Sequence, residues 1–380
     1  MPFEEDWSKI TLGDYSETVT SGSRDWAQYY SDSGDKFIRM TNLVRDGIHL
    51  DLSDLKFVKL PDDSNEGKRT NLKSGDILIS ITAELGKLGW IPDGLGTAYI
   101  NQHTALVRIK KSCDSKFIAY GLSTEKYNNK LNSLNDSGAK AGLNLGTIRN
   151  FEVIIPLKEE QTKIATFLSA VDEKISQLSQ KLHLLSQYKQ GMMQKLFSQQ
   201  IRFKADDGSE FGEWEQSLLG QHCQITTGKL DANAMKEDGQ YRFYTCAKDY
   251  YFIDSFAFDT EALLISGNGA HVGYIHYYKG KFNAYQRTYV LDNWKHNIQY
   301  VKYFMEKYLK ARIYGEKKEG NTPYIVLATL SEMPFQAPSL EEQTKIANFL
   351  SSIDQKIDVA SEQLEQAKLW KKGLLQQMFV

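Results

Sequence analysis

Residues 159–175 read EEQTKIATFLSAVDEKI, and residues 341–357 read EEQTKIANFLSSIDQKI, so 13 of 17 positions are identical at an offset of 182 residues. A match of that length does not arise by chance, and the chain is therefore an internal duplication. The same offset carries Pro156 onto Pro338, Tyr188-Lys189-Gln190-Gly191 onto Trp370-Lys371-Lys372-Gly373, and Phe197 onto Phe379. Within each copy apolar residues recur at heptad spacing. The first copy has Ile164, Val171, Leu178, Leu185 and Met192 in one row, and Leu168, Ile175, Leu182 and Leu196 in the other. The second has Ile346, Ile353, Ala360, Ala367 and Leu374 beside Leu350, Ile357, Leu364 and Met378. Each copy follows a proline and opens with glutamates, which the helix dipole favours in a first turn. Two long helices are expected, each about 37 residues and roughly 55 Å long. One such helix alone would be read as packing on its own domain. Two near-identical seams are what a pair needs to zip together, and an antiparallel pairing lets one globular domain leave each end.

The segments before the helices share landmarks rather than sequence. Trp7 and Leu12-Gly13 match Trp214 and Leu219-Gly220, and Ile77-Leu78-Ile79-Ser80 matches Leu263-Leu264-Ile265-Ser266. Gly89-Trp90-Ile91 matches Gly273-Tyr274-Ile275, and Gln102-His103-Thr104 matches Gln286-Arg287-Thr288. Short β-type runs broken by Gly, Asp and Asn dominate both, with a helical stretch late in each, near 116–134 and 298–313. The expected fold is α+β: two mixed α/β domains joined by two long antiparallel coiled-coil helices, with pseudo-twofold symmetry. The expected boundaries are 1–155 and 201–337 for the domains, and 156–200 and 338–380 for the helices.

A chain of 380 residues, 41% hydrophobic and 25% charged, can bury more than one core. No run approaches the roughly 20 apolar residues of a membrane span, and the acidic start MPFEEDWSKI is unlike a signal peptide, so a cytoplasmic protein is expected. Cys113, Cys223 and Cys246 are scattered without metal spacing and read as reduced packing residues. The net charge of −2 gives no global sign of nucleic-acid binding. Charge can be segregated, and residues 302–319 hold Lys302, Lys307, Lys310, Arg312, Lys317 and Lys318 against three glutamates. That segment reads either as a basic patch or as a solvated helix face. A cluster of Tyr241, Phe243, Tyr244, Tyr250, Tyr251 and Phe252 marks the second domain, mostly as core.

Catalytic patterns fail on spacing. Pro61-Asp62 with Glu66-Gly67-Lys68 mimics a nuclease motif, yet only three residues separate the two carboxylates, inside a polar loop. Gly267-Asn268-Gly269-Ala270-His271-Val272-Gly273 is not G-x-G-x-x-G and runs into a strand-like segment, so no helix N-terminus awaits a phosphate. Thr227-Gly228-Lys229-Leu230 lacks the rest of a P-loop. Among seven prolines no two are adjacent, so the (D/N)-P-P-(Y/F) clamp of adenine methylation is absent.

The doubled helix motif resembles that of type I restriction-modification specificity subunits, whose helices begin P-x-x-x-E-Q-x-x-I. Here the motif reads P-L-K-E-E-Q-T-K-I from Pro156 and P-S-L-E-E-Q-T-K-I from Pro338. The F-L followed by hydrophobic-D-x-K-I, and the K-x-G-hydrophobic-hydrophobic-Q-x-hydrophobic-F of each helix, resemble it too, so the likeness spans essentially the whole chain. The resemblance implies two target-recognition domains reading the halves of a bipartite double-stranded DNA site, with the coiled coil as a ruler setting the spacer. A rod of about 55 Å equals about 16 base steps, with half-sites about one turn apart. It further implies a chain without catalysis of its own, two methyltransferase subunits docked on the repeated helices, and restriction subunits joining them. S-adenosylmethionine, ATP and Mg would then belong to those partners, with no cofactor or metal here. Candidate DNA-contacting residues are Lys87, Gln102, His103 and Lys140 in the first domain, with Asn268, His271, Gln286, Arg287, Lys317 and Lys318 in the second. Of these, the loops at 138–142 and 319–321 stand in matching places before the last strand. An alternative stays open in which the helices dimerise and the domains bind proteins, a scaffold without DNA.

Overall fold

The computed structural model describes residues 7–62, 64–135, 142–316 and 323–379. The chain forms two compact units, Met1–Leu178 with Gln363–Val380, and Ser179–Glu362. Each unit thus holds one globular domain, the opening turns of the helix that follows it, and the closing turns of the other long helix.

The first unit begins with β1 (Ser8–Thr11), β2 (Ser16–Ser21), β3 (Tyr30–Ser31), β4 (Asp35–Ile38) and β5 (Lys56–Val58). Then come β6 (Ile77–Ser80), β7 (Leu88–Trp90), β8 (Ala98–Ile100) and β9 (Thr104–Ile109). Three helices follow, α1 (Ser115–Ser123), α2 (Glu125–Ser133) and α3 (Leu145–Arg149), before β10 (Glu152–Ile155) and the long α4 (Lys158–Phe197). The apolar run of β6 is buried along its whole length because it lies inside the sheet β2-β9-β6-β7, covered on both faces. A second sheet runs β3-β5-β4-β8, and β1 pairs antiparallel with β10, closing the domain where the long helix starts.

The second unit repeats the plan with longer strands. After β11 (Glu215–Leu218) and β12 (Gln224–Thr227) come β13 (Tyr241–Tyr244), β14 (Tyr251–Ile253), β15 (Phe258–Ser266), β16 (Ile275–Ala284) and β17 (Thr288–Asp292). Next are α5 (Ile298–Gly315), α6 (Leu327–Ser331), β18 (Pro334–Ala337) and α7 (Leu340–Met378). A single six-stranded sheet, β12-β17-β15-β16-β13-β14, replaces the two sheets of the first unit. The β11–β18 pair corresponds to β1–β10. The core of each unit merges with its long helices: Ile164, Ala165 and Leu168 join Phe117, Tyr120, Phe379 and the β6 residues, as Ile346, Ala347, Leu350 and Ile353 join Tyr300, Phe304, Leu196 and Phe197.

The repeated glutamine of E-E-Q-T-K-I explains itself in these surroundings. Gln161 is buried; its Oε1 accepts from the backbone N–H of Asp114 at 2.9 Å and its Nε2 donates to the Pro156 carbonyl at 2.8 Å. Gln343 does the same to Asn297 at 3.0 Å and Pro338 at 2.8 Å. Asp114 and Asn297 are the N-caps of α1 and α5, whose side chains accept the next orphan N–H groups. One amide therefore ties the start of each long helix to the start of the domain helix beneath it. About three turns further along each long helix the logic changes from backbone to charge. Tyr120 donates to Asp172 at 2.7 Å, and Lys371 pairs with the other oxygen of Asp172 at 2.5 Å. Tyr303 donates to Asp354 at 2.7 Å, and Lys189 pairs with Asp354 at 2.7 Å.

Asp172 maps onto Asp354 and Lys189 onto Lys371 at the same 182-residue offset. In the first unit the early turns of α4 therefore meet the last turns of α7, an encounter that Phe167 and Trp370 extend edge to face at 5.9 Å. In the second unit the last turns of α4 meet the early turns of α7. Pairing of start with end in both is antiparallel. Of the heptad residues, Ile164, Leu168, Val171, Leu178, Ile346, Leu350, Ile353, Ala360 and Leu364 are buried, while Ile175, Leu182 and Ile357 are half-buried. The stripe serves two neighbours at once: Ile164 and Leu168 lie in one core with Phe117 and Tyr120 of the domain and with Leu374, Leu375 and Met378 of α7.

Candidate nucleic-acid interface

At one end of the main sheet of each unit the same backbone frame appears. In the first unit Ser80 and Thr104 are register partners, the Ile81 N–H donates to the His103 carbonyl at 3.0 Å, and the Leu143 N–H donates to the Ile81 carbonyl at 2.9 Å. In the second, Ser266 and Thr288 are partners, the Gly267 N–H donates to the Arg287 carbonyl at 2.9 Å, and the Ile325 N–H donates to the Gly267 carbonyl at 2.8 Å. The frame gathers the turn before β9 or β17, the loop leaving β6 or β15, and the chain returning toward the last strand. Loops held this way on a rigid sheet are where recognition residues belong.

A glycine completes each frame. The Gly22 N–H donates to the Asn101 carbonyl at 3.2 Å and the Gly228 N–H to the Thr288 carbonyl at 3.2 Å. An added Cβ would lie 2.0 Å from the Ile100 carbonyl oxygen at Gly22, and 1.9 Å from that of Ala284 at Gly228, so no side chain fits at either. This close crossing brings Arg24 and Lys229, both exposed, beside the turns. Neither was selected in the sequence; the signal was Thr20-Ser21-Gly22 against Thr226-Thr227-Gly228, one residue out of step with the Trp7 and Trp214 landmarks.

The candidates occupy these frames with different chemistry. In the first unit Gln102 Nε2 lies 3.0 Å from His103 Nε2, and His103 Nδ1 lies 2.8 Å from Thr82 Oγ1. With the glutamine amide donating, His103 holds its proton on Nδ1 and gives it to Thr82. Lys87 is half-buried and pairs with Glu84, and its N–H donates to Ser80 Oγ at 2.8 Å. Three of the four first-domain candidates thus lie at one sheet end, and Lys140 lies outside the described residues.

In the second unit Gln286 Nε2 donates to Asp231 at 2.8 Å, while Arg287 is exposed and has no ion pair or side-chain hydrogen bond among the described residues. A polar cavity of about 330 Å³ opens between Thr227, Gly267, Gln286, Arg287, Tyr289, Tyr324 and Ile325. Tyr289 is held by its hydroxyl on the Ile325 carbonyl at 3.0 Å, whereas Tyr324 is 61% exposed. A free guanidinium beside an amide and a phenol suits a base edge or a phosphate. Asn268 and His271 lie on the β15–β16 turn, both half-buried, and Tyr274 stands in the place of Lys87: the Ser266 N–H donates to its carbonyl at 3.0 Å as the Ser80 N–H does to that of Lys87 at 2.9 Å. Lys317 and Lys318 lie outside the described residues. Tyr324 carried no sequence signal, since it is an isolated residue whose neighbours come from distant strands.

Charge on α5 is largely engaged inside the unit. Lys302 and Lys189 both pair with Glu306, at 3.2 and 3.4 Å; Lys307 contacts Gln194; Arg312 donates to the Thr329 carbonyl at 2.7 Å and pairs with Glu316 at 3.0 Å. The described part of the segment 302–319 thus knits α5 to its surroundings rather than forming a free basic patch. The aromatic cluster divides: Phe243 and Tyr244 are buried, while Tyr250, Tyr251 and Phe252 are exposed. Arg242 lies between the rings of Tyr250 and Tyr278, at 4.2 and 4.6 Å.

Two half-buried histidines beside α7 form a directed chain. Gln343 Nε2 donates to His296 Nδ1 at 2.9 Å, so His296 donates from Nε2 to His222 Nδ1 at 3.0 Å, and His222 from Nε2 to Ser217 Oγ at 2.7 Å. Every nitrogen has one role only if both rings are neutral. Burial holds both below the usual histidine range, and for His296 the neighbouring His222 adds to it. All three cysteines are free thiols, and burial pushes Cys223 up to about 12. Among the described residues no group of three or more His, Cys, Asp or Glu is placed to hold a metal, and no helix is long and apolar enough to cross a membrane.

Comparison with known proteins gives consistent matches. The chain is 38% identical over 154 residues to the EcoDI type I restriction enzyme specificity subunit of Escherichia coli, covering 40% of this chain and 34% of that protein. It thus spans about a third of that relative. It is 23% identical over 414 aligned residues to the MjaVIII specificity subunit of Methanocaldococcus jannaschii, covering 98% and 91%. In fold it resembles the crystal structure of a type I S subunit from M. genitalium, with a TM-score of 0.70 at 17% identity over 100% of this chain and 98% of that one. A second chain, solved in work on assembly and conformational transition of the type I system, gives 0.56 at 15% identity over 100% and 99%. The model of the type I restriction modification DNA specificity domain matches twice, at residues 4–186 and 212–369. Two matches in one chain, each starting at a globular domain and running into its long helix, place this protein in the type I restriction-modification DNA specificity family.

Proposed function

We propose that each globular domain reads one half of a bipartite double-stranded DNA site through the sheet-end frame described above, and that the paired helices fix the unread spacer. The observation that carries this reading is the doubled frame itself. Its backbone hydrogen bonds are kept in both units, while the side chain after the shared glutamine, Gln102 or Gln286, changes from His103 to Arg287 and the partners of that glutamine change with it. A kept frame with exchanged donors and acceptors is what two readers of different half-sites require.

Catalysis belongs, in this proposal, to partner subunits in the cytoplasm. Two methyltransferase subunits dock on the duplicated helices and adjoining domains, bringing S-adenosylmethionine; restriction subunits add ATP- and Mg-dependent cleavage. This chain contributes binding and orientation only. Modified-base sequencing of host DNA with and without the gene tests the proposal. Adenine methylation lost at one gapped, two-part motif is the expected result. Unchanged methylation, with the partner methyltransferase expressed and active, would remove the specificity role.

A further inference from the structure

The duplication lets one unit serve as the control for the other. In the second unit residues 201–212 lie as an arm along the first turns of α7. Arg202 forks the buried carboxylate of Glu342, Nε at 3.1 Å and Nη2 at 2.6 Å, and also donates to the Gly212 carbonyl at 2.7 Å. Lys345 donates to the Lys204 carbonyl at 2.7 Å and to Asp206 at 2.6 Å, and lies over the Phe211 ring at 5.6 Å. Phe203 meets Phe349 edge to face at 5.7 Å. Three side chains of α7, spaced i, i+3 and i+7 on one side of the helix, are thus matched by an arginine, a carboxylate and two phenylalanines.

The 182-residue offset carries those three onto Glu160, Lys163 and Phe167 of α4, in the first unit. There the partners are missing among the described residues. Glu160 Oε1 is buried with no hydrogen-bond partner, Lys163 is exposed and unpaired, and Phe167 is 40% exposed beside Trp370. A buried carboxylate oxygen without a donor is costly, and a donor brought by another chain would relieve it. A second copy could supply Arg202 only by stripping it from its own Glu342, which leaves an equal deficit.

We infer that the Glu160–Lys163–Phe167 face of α4 is a docking site for a peptide segment of a different partner chain, one bearing an arginine next to a phenylalanine and a carboxylate a few residues on. It engages α4 as residues 201–212 engage α7. The probe is a fluorescent synthetic peptide of residues 200–214 (QIRFKADDGSEFGEW), titrated into the full chain and followed by anisotropy. Saturable one-to-one binding is expected. It should weaken about tenfold or more with Arg202→Gln in the peptide or Glu160→Gln in the protein, and with Phe167→Ala. Glu160→Gln keeps the shape of the side chain and removes an unmatched charge, so folding is not at stake, and circular dichroism should be unchanged. No saturable binding, or equal affinity for Glu160→Gln, overturns the inference. Binding that appears only after residues 1–6 are deleted would give the face to the chain's own N-terminal segment. A dimer dissolved by the peptide would give it to a second copy. Either result removes the partner-chain assignment.

Discussion

Replacing Asp172 by Asn tests the node that joins domain, α4 and α7 in the first unit. Asp172 is mostly buried, and burial by itself would raise its carboxyl pKa. Hydrogen bonds from His49, Lys371 and Tyr120 and the Lys371 charge outweigh that and hold it at about 2, against 3.8 for the free side chain. At neutral pH that difference is about 2 kcal/mol of stability. Asn keeps the shape and loses the charge, leaving the Lys371 ammonium, 14% exposed, without its counter-ion, so the full cost is about 3 kcal/mol. A depressed folded pKa gives stability that is complete above the unfolded value and is lost as pH falls through the folded one. The gap between wild type and Asp172→Asn is therefore largest near pH 7 and falls by about 1 kcal/mol, to about 2 kcal/mol, at pH 3. Urea melts at both pH values, with hydrogen exchange of α1 and the first turns of α4 as the local readout, measure it. Lys371→Met combined with Asp172→Asn should recover part of the loss, a coupling of about 1 to 2 kcal/mol. A gap that is absent at pH 7, or as large at pH 3 as at pH 7, refutes the charge-coupled node.

Other outcomes follow from the same contacts. The histidine chain works only with both rings neutral. Because burial depresses both, the unfolded chain takes up protons first as pH falls below about 6.5, and stability of the second unit is lost in that direction. Faster hydrogen exchange in β11, β18 and the start of α7 at pH 5.5 than at pH 7 is expected, and His296→Phe should flatten the difference. Gln343→Leu strands the Asn297 N–H and should cost about 2 to 3 kcal/mol, read as a lowered urea midpoint with an unchanged slope. Arg287→Gln should relax or change one half of the methylated motif only, with a loss of about 1 to 3 kcal/mol at that base pair, scored by modified-base sequencing. Changes at Gln102 should act on the other half; a mutation altering both halves would contradict separate readers.

Periodicity and repetition made the long helices legible, because a heptad stripe declares its neighbour without help from distant sequence. Lengths followed too, with α4 and α7 at 40 and 39 residues against about 37 expected. The landmarks Ile77-Leu78-Ile79-Ser80 and Leu263-Leu264-Ile265-Ser266 lie on β6 and β15 because continuous apolar runs need a covered sheet interior. The double use of the stripe was hidden, since Ile164 and Leu168 carry the same apolar signature whether they face Phe117 or another helix. The basic segment near α5 stayed open between a patch and a solvated face for a similar reason: Lys302 and Arg312 look free in sequence, yet Glu306 and the Thr329 carbonyl meet them. Around the candidate interface, the turns at 102–104 and 286–288 were legible as matched landmarks. Arg24 and Tyr324 were not, because only the crossing at Gly22 or Gly228 and the returning chain bring them near.

The amide lock of Gln161 and Gln343 has a consequence for how such proteins change over time. Apart from the apolar contacts, each long helix asks of its domain a backbone N–H at a helix N-cap and, through Asp172 or Asp354, a tyrosine hydroxyl. Any replacement domain that carries such a cap and such a tyrosine would seat in the same socket. Whatever it presents at the far end of its sheet is irrelevant to the fit. Recognition can then be renewed wholesale, by exchanging a module, while the fastening is conserved to a few atoms.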